Sequence, residues 1–311
     1  MDRQWLIAGA DGFVALFYSF FAPTPAGSPP VPVPVFGLDR EARSIEAVYS
    51  HDHGETWSEP TSVVPAGDRY QIAHPRMLPD GTLWMPYGAV PPAGDTPYWR
   101  APSEVRVAVS ADQGATWRHS LVAAAPEGFD NLWAVQGATD PTTGLSFVAW
   151  SARIDDNHTA LWLASSADLQ AWSAPYAVDG LGINVLPWVD ANAGRLTVGW
   201  YGTAATGEPT EVRGDAGWYA LAAEWNATGR NGQPNATTMP IAYVSLQPVK
   251  SGPLCPRGAA CEGDRELLDY VSMVYAPDGR VHYAFARSEG GRAFVHVATQ
   301  TGYALQAWPD L

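Results

Sequence analysis

Three Asp-Arg pairs, Asp2-Arg3, Asp68-Arg69 and Asp264-Arg265, are the part of this sequence best suited to chemistry. Each opens a strand-like segment: Gln-Trp-Leu, Tyr-Gln-Ile and Glu-Leu-Leu follow in turn. A guanidinium is a planar fork of donors that grips a carboxylate through two parallel hydrogen bonds. Three of them brought together make a cationic pocket for an acidic ligand. That pocket would stand out locally, because the chain has 32 Asp and Glu against 18 Lys and Arg, a formal net charge of −14. The competing reading pairs each Asp with a neighbouring Arg or with backbone groups, as a fastener between structural units. Trp99, beside Arg100 in a Pro- and Gly-rich stretch, is the best exposed candidate for stacking on a sugar. Trp150, Trp162 and Trp200 fall at alternating strand positions and read as core.

Other chemistries are disfavoured. Of the 18 cationic residues 17 are Arg and only Lys250 is Lys, and with the acidic balance this argues against a nucleic-acid partner. The seven His show no metal spacing, so no metal and no cofactor is expected. Neither a Gly-rich phosphate loop nor a G-x-S-x-G elbow occurs. No apolar run approaches the roughly 18 residues of a membrane span. Cys255 and Cys261 frame Cys-Pro-Arg-Gly-Ala-Ala-Cys, a spacing that favours a small disulfide loop over zinc and hence an oxidising compartment. Asn157, Asn226 and Asn235 head glycosylation sequons.

The elements that must position these residues are strands. With 30 Gly, 27 Pro, 14 Trp and 13 Tyr the composition is turn-rich and aromatic-rich, which favours β-structure. Two segments, Ser50 to Trp57 and Ser110 to Trp117, share the pattern S-x-D-x-G-x-T-W, and Ser166 to Trp172 is a shortened copy. Each follows an alternating apolar strand, so it marks a hairpin turn. There Asp52, Asp112 and Asp168 can bond backbone N–H groups, Gly54 and Gly114 can take positive φ, and Trp57, Trp117 and Trp172 can pack onto the hairpin. A second landmark is a tight turn before an apolar run, at Asp11-Gly12, Asp80-Gly81, Thr143-Gly144, Ala193-Gly194 and Asp278-Gly279. Together they divide one domain, 1–311, into five four-stranded units, about 1–64, 65–125, 126–179, 180–250 and 251–311. A unit of this kind cannot cover its own faces and must stack on its neighbours. The expected fold class is all-β, a β-propeller of antiparallel blades.

The S-x-D-x-G-x-T-W pattern is that of the Asp box, and on it the chain resembles the sialidase (neuraminidase) superfamily and the related bacterial-neuraminidase-repeat propellers. In that superfamily the box lies at the blade periphery, which implies a structural role for Ser50, Asp52, Ser110, Asp112, Asp168 and the box tryptophans. The resemblance implies a glycan as partner and a secreted, exo-acting glycosidase that removes sialic-acid-type residues. Arg3, Arg69 and Arg265 would hold the sugar carboxylate. Asp95, in the loop Pro91 to Pro97, would protonate the leaving oxygen, and Tyr270 is the candidate nucleophile. The chain departs from the family in lacking its Arg-Ile-Pro motif; His74-Pro75-Arg76 lies too close to the Asp80-Gly81 turn to replace it. The carboxylate that should activate Tyr270 is also unidentified. Asp269 is adjacent and points away, and Glu266 would lie about 13 Å along an extended strand. The rival reading is a non-catalytic propeller that binds glycan or protein. Sialidase propellers have six blades, five are counted here, and Met1 stands directly before an Asp-Arg pair: either the ring has five blades or, as the export implied by the cysteine pair and the resemblance favours, the chain is a fragment missing its leader and at least one N-terminal blade.

Overall fold

The alternating segments find their partners one turn away along the chain. In the computed structural model, which describes residues 2–21, 42–65, 69–90, 104–125, 131–178, 180–227, 241–255, 266–267 and 271–301, the strands form five antiparallel sheets. The first contains β1 (Asp2–Ala8), β2 (Val14–Phe21), β3 (Ala42–Ser50) and β4 (Thr61–Val64), in that order. In the second, β5 (Arg69–Ile72) and β6 (Arg76–Met77) lie along β7 (Leu83–Val90), followed by β8 (Glu104–Ser110) and β9 (Arg118–Ala124). The third holds β10 (Asn131–Thr139), β11 (Ser146–Arg153), β12 (Thr159–Ser166) and β13 (Tyr176–Val178). The fourth holds β14 (Ile183–Asn192), β15 (Arg195–Thr203) and β16 (Gly217–Asn226), with β17 (Ala242–Tyr243) and β18 (Lys250–Ser251) both on β16. The fifth comprises β19 (Val271–Tyr275), β20 (Val281–Glu289) and β21 (Arg292–Thr299), three strands among the described residues. These are the blades of a β-propeller.

Each first hairpin closes on a glycine that the turn requires. Gly12, Gly81, Gly144, Gly194 and Gly279 have φ of 81°, 86°, 73°, 75° and 77°, a region that a β-carbon disfavours.

Apolar side chains on facing sheets fill the gaps between successive blades. Phe17, Ile45 and Met85 join blades 1 and 2, and Trp84, Val107 and Trp150 join 2 and 3. Phe147, Leu161 and Trp200 join 3 and 4, and Trp218, Tyr201 and Phe285 join 4 and 5. Trp84, Trp200 and Trp218 are wholly buried, which accounts for the tryptophan-rich composition: each removes a large apolar area from water. The outward face of blade 5 differs. Val274, Val295 and Val297 are 53%, 70% and 65% exposed, as is Leu6 of blade 1 at 57%. Among the described residues no buried cluster joins these two blades.

Four first strands carry an irregularity. Register shifts between Asp2 and Trp5, between Leu132 and Val135, and between Val185 and Trp188, and the gap between β5 and β6 is the counterpart in blade 2. Ala134 (φ 78°) and Leu186 (φ 55°) lie in two of these bulges. Bulges bend a strand and re-aim its side chains.

Candidate functional site

Chain direction sorts the loops into two ends. The first strands β1, β5, β10, β14 and β19 all begin at one end, here called the mouth. The chain also passes from second to third strand there, between β2 and β3, β7 and β8, β11 and β12, β15 and β16, and β20 and β21. The opposite end bears the five glycine turns and the three S-x-D boxes.

At that opposite end the acids hold their own turns. Asp52 Oδ1 accepts from Ser50 Oγ at 2.7 Å and Thr56 N at 2.8 Å, and Oδ2 from Thr56 Oγ1 at 2.5 Å. Asp112 repeats this with Ser110 and Thr116. These donors, the threonine first, pull both carboxyls down to about 2. Asp168 accepts from Gln170 N and Ala171 N, and Leu169 takes the left-handed conformation at φ 59°. The counterparts in the full boxes are His53 (64°) and Gln113 (55°), each followed by a positive-φ glycine. Trp117 and Trp172 pack against core clusters. Trp57, expected to pack likewise, is 41% exposed and donates Nε1 to Gly54 O at 3.0 Å.

Side chains from non-neighbouring blades can meet only on the axis, and two layers do so. Trp5 of blade 1 lies edge-on to His74 of blade 2 at 4.7 Å, and both approach Trp188 of blade 4, at 6.3 and 6.0 Å. Trp188 Nε1 donates to Met273 O of blade 5 at 3.1 Å. In the second layer Arg76 Nε donates to Gly137 O of blade 3 at 2.6 Å. Its charge is felt by Asp190 of blade 4, whose Oδ2 accepts from Tyr275 N of blade 5 at 2.7 Å. Burial first, then Arg76, pushes His74 down to about 3, so the ring is neutral at pH 7. Burial raises the Asp190 carboxyl against the pull of the Tyr275 amide and Arg76. These layers occupy the axis between the starts of the first strands and the glycine turns.

Every blade carries a partnered glutamate or aspartate towards the mouth end. Glu46 accepts from Tyr18 Oη at 3.1 Å and Ser44 Oγ at 3.2 Å, and burial first, then Glu46, pushes the Tyr18 hydroxyl up to about 12. Glu104 pairs with Arg106 at 2.6 Å and Glu289 with Arg287 at 2.9 Å. Arg153, at the end of β11, pairs with Glu208 of the β15–β16 connection. Asp155 holds His158 in the β11–β12 hairpin at 2.9 Å. Lys250 of β18 pairs with Glu266, which precedes β19.

Of the residues singled out in the sequence, Arg3 lies in β1 and Arg69 opens β5, both at the mouth end. Asp95 and Trp99 fall on the segment joining β7 to β8, and Arg265 and Tyr270 on that leading to β19; all four lie outside the described residues, as does Cys261. Cys255 is disulfide-bonded. Glu266 lies at a bend, and β19 is described from Val271. Sequence reasoning missed Arg76 and Asp190. Their signal was the bulk of the His74-Pro75-Arg76 break within a first strand, and a lone Asp within the apolar run of β14. It also missed a tyrosine–glutamate pair from different blades. Tyr275 Oη donates to Glu224 Oε2 at 3.2 Å, with Arg195 4.9 Å over the ring. This pair sits at the turn end, and burial, reinforced by Glu224, raises the Tyr275 hydroxyl well above its ordinary value. It ties blades 4 and 5 together.

Solved structures share this architecture. The chain is 14% identical to an α-L-arabinanase of Penicillium chrysogenum complexed with arabinobiose, covering 94% of this chain and 76% of that one at a TM-score of 0.53. At that identity the likeness extends to the fold. An α-L-arabinofuranosidase of Fusarium graminearum with an iminosugar inhibitor is also 14% identical, over 96% and 92% of the two chains, at a TM-score of 0.50. The intramolecular trans-sialidase of Ruminococcus gnavus, with oseltamivir carboxylate, is 14% identical over 86% and 52%, at 0.48. No protein-family model and no curated protein matches the sequence.

Proposed function

We propose that this protein handles glycans at the mouth of its propeller and that it is an exo-acting glycosidase for terminal acidic sugars. The observation that carries the reading is the shared position of Arg3 and Arg69, at the starts of first strands at one end of an axis filled beneath them. Arg3, Arg69 and Arg265 hold the sugar carboxylate bidentately. Asp95 protonates the glycosidic oxygen as the bond to the anomeric carbon breaks. Tyr270 attacks that carbon, and water then releases the sugar and restores the tyrosine. Trp99 offers a stacking surface for a ring. As a member of such a class the protein acts outside the cell, where its cysteine pair stays oxidised.

One observation favours a second reading. The described residues make five sheets, and the two neighbours at TM-scores of 0.53 and 0.50 are named for α-L-arabinose chemistry. A terminal L-arabinofuranosyl unit carries no carboxylate, so the arginines would then serve the fold. Release of 4-methylumbelliferone from the α-sialoside and from the α-L-arabinofuranoside separates the two, with Arg69→Ala and Asp95→Ala as controls. Turnover of the sialoside that both substitutions abolish is the expected result. Turnover of the arabinofuranoside alone selects the second reading, and no turnover of either across pH 4–8 rejects the enzyme in favour of a binding propeller.

A further inference from the structure

The three boxes share one register. In each boxed blade the residue two places after the turn glycine pairs with the first residue of the box: Val14 with Ser50, Leu83 with Ser110 and Ser146 with Ser166. Blade 5 places Gln300 at that position. Gln300 N donates to Val281 O at 2.8 Å, and Val281 N, two places after Gly279, donates to Gln300 Oε1 at 3.2 Å. Gln300 is buried, as the box serines are. Eight residues beyond it stands Trp308, and the three boxes reach their tryptophans after seven, seven and six. Trp308 closes the run Leu305-Gln306-Ala307-Trp308, which repeats Leu169-Gln170-Ala171-Trp172 of the shortened box residue for residue. An identity at the same place in a repeating unit marks a further copy of that unit's turn.

Where a box tryptophan is buried, it seats against the preceding blade. Trp117 of blade 2 meets Phe17 of blade 1 edge-on at 6.0 Å, and Trp172 of blade 3 donates Nε1 to Ser120 Oγ of blade 2 at 3.2 Å. Trp57 belongs to blade 1, which no buried cluster among the described residues joins to blade 5, and it is exposed. For blade 5 the corresponding seat is the gap beside blade 4, and a cleft of about 230 Å³ lies there. Its walls include the paired Ala222 and Ala242 with Tyr243 on blade 4, and Met273, Tyr283 and Thr301 on blade 5. The cleft is smaller than the roughly 300–1,000 Å³ of ligand pockets. Its polar groups are also engaged within the protein. Tyr283 Oη donates to Trp200 O at 3.2 Å, Thr299 Oγ1 pairs with His282 Nδ1 at 3.0 Å, and Gln300 Nε2 donates to Glu224 Oε2 at 3.3 Å. Such a lining suits an aromatic side chain better than a sugar, whose hydroxyls would lose water without finding partners.

We propose that Gln300 to Trp308 is a fourth, lengthened copy of the box, and that the Trp308 ring seats in the cleft between blades 4 and 5. Residues 302–311 lie outside the described ones, and the chain enters them from Thr301, itself part of the cleft wall. The seat does not depend on the mouth being a glycan site.

Thermal melts of the full chain test it. Trp308→Ala is expected to lower Tm by several degrees, as loss of a buried aromatic side chain does. Trp57→Ala, at the exposed box, is expected to leave Tm within about 1 °C of wild type. Trp308→Phe, which keeps a ring, is expected to melt between wild type and Trp308→Ala. Ala242→Leu narrows the cleft and supplies the second arm. It is expected to lower Tm in the wild-type background by overpacking, and to leave Tm unchanged or raise it in Trp308→Ala, where it refills the space. Wild-type melting by Trp308→Ala, or the same shift from Ala242→Leu in both backgrounds, overturns the inference. If Ala242→Leu alone does not fold, failure of Trp308→Ala to restore folding overturns it as well.

Discussion

His74 makes the stability of the fold depend on pH in a calculable way. In the unfolded chain its imidazole titrates at the ordinary value of 6.5; in the folded protein it is held down to about 3. A group whose folded value is depressed contributes stability that is present above the unfolded value and lost as pH falls towards the folded one. Between pH 6.5 and 4.5 the unfolded chain takes up this proton and the folded protein does not. The free energy of unfolding should fall by about 2 kcal/mol over that interval, at a limiting slope of about 1.4 kcal/mol per pH unit. His74→Gln removes the titration while keeping a polar side chain between Trp5 and Trp188. At pH 7 it should cost about 0.5–1.5 kcal/mol for the lost ring contacts, and its slope should be flatter than wild type by the amount just given. His119, also depressed by burial and by Arg106, has the same sign, so His119→Gln serves as the second arm. Asp190, with a raised carboxyl, has the opposite sign above the ordinary aspartate value and is common to all three proteins. Asp52 and Asp112, ordinary at 3.8 and held at about 2, contribute only below the interval. Urea unfolding followed by tryptophan fluorescence at pH 6.5, 5.5 and 4.5 reads the slopes. Parallel curves for wild type and His74→Gln would refute the buried, neutral histidine on the axis.

Other substitutions probe the blades. Arg76→Met leaves Asp190 buried beside no cation and Gly137 O without its donor, and should cost about 3–5 kcal/mol in urea unfolding; a loss below about 1 kcal/mol would contradict the axial tie. Gly137→Ala puts a β-carbon 2.5 Å from Trp84, an overpacking worth about 1–3 kcal/mol, measurable as a lower Tm. Val198→Ser, in the gap between blades 3 and 4, should be strongly destabilising. Val297→Ser, on the exposed face of blade 5, should stay within about 0.5 kcal/mol, and equal effects at the two sites would show that face to be covered in solution.

Repetition made the fold readable. Boxes at Ser50 and Ser110 and five glycine turns mark where strands reverse, because positive φ and side-chain capping are local requirements that a sequence states directly. What joins the blades is not local. Arg76 meets Gly137 and Asp190 across the axis, Tyr275 meets Glu224 across a blade gap, and Lys250 meets Glu266 past the cysteine loop. No spacing rule links such partners. The divided fourth strand of blade 4, β17 and β18, was equally illegible, since two-residue strands have no periodicity to detect. Of the candidate site, the end of the molecule could be read from strand direction. The ion pairs there could not, because Arg153 meets Glu208 of the next blade and no spacing links the two.

The central claim is that sugars bind at the mouth and not at the boxed turns. Hydrogen–deuterium exchange of the protein with and without a saturating oligosaccharide, sialylated or arabinan-derived, tests it most directly. The account predicts protection confined to peptides at the starts of β1, β5 and β19. Protection at the turns around Asp52, Asp112 and Asp168, or none with either sugar, would contradict it.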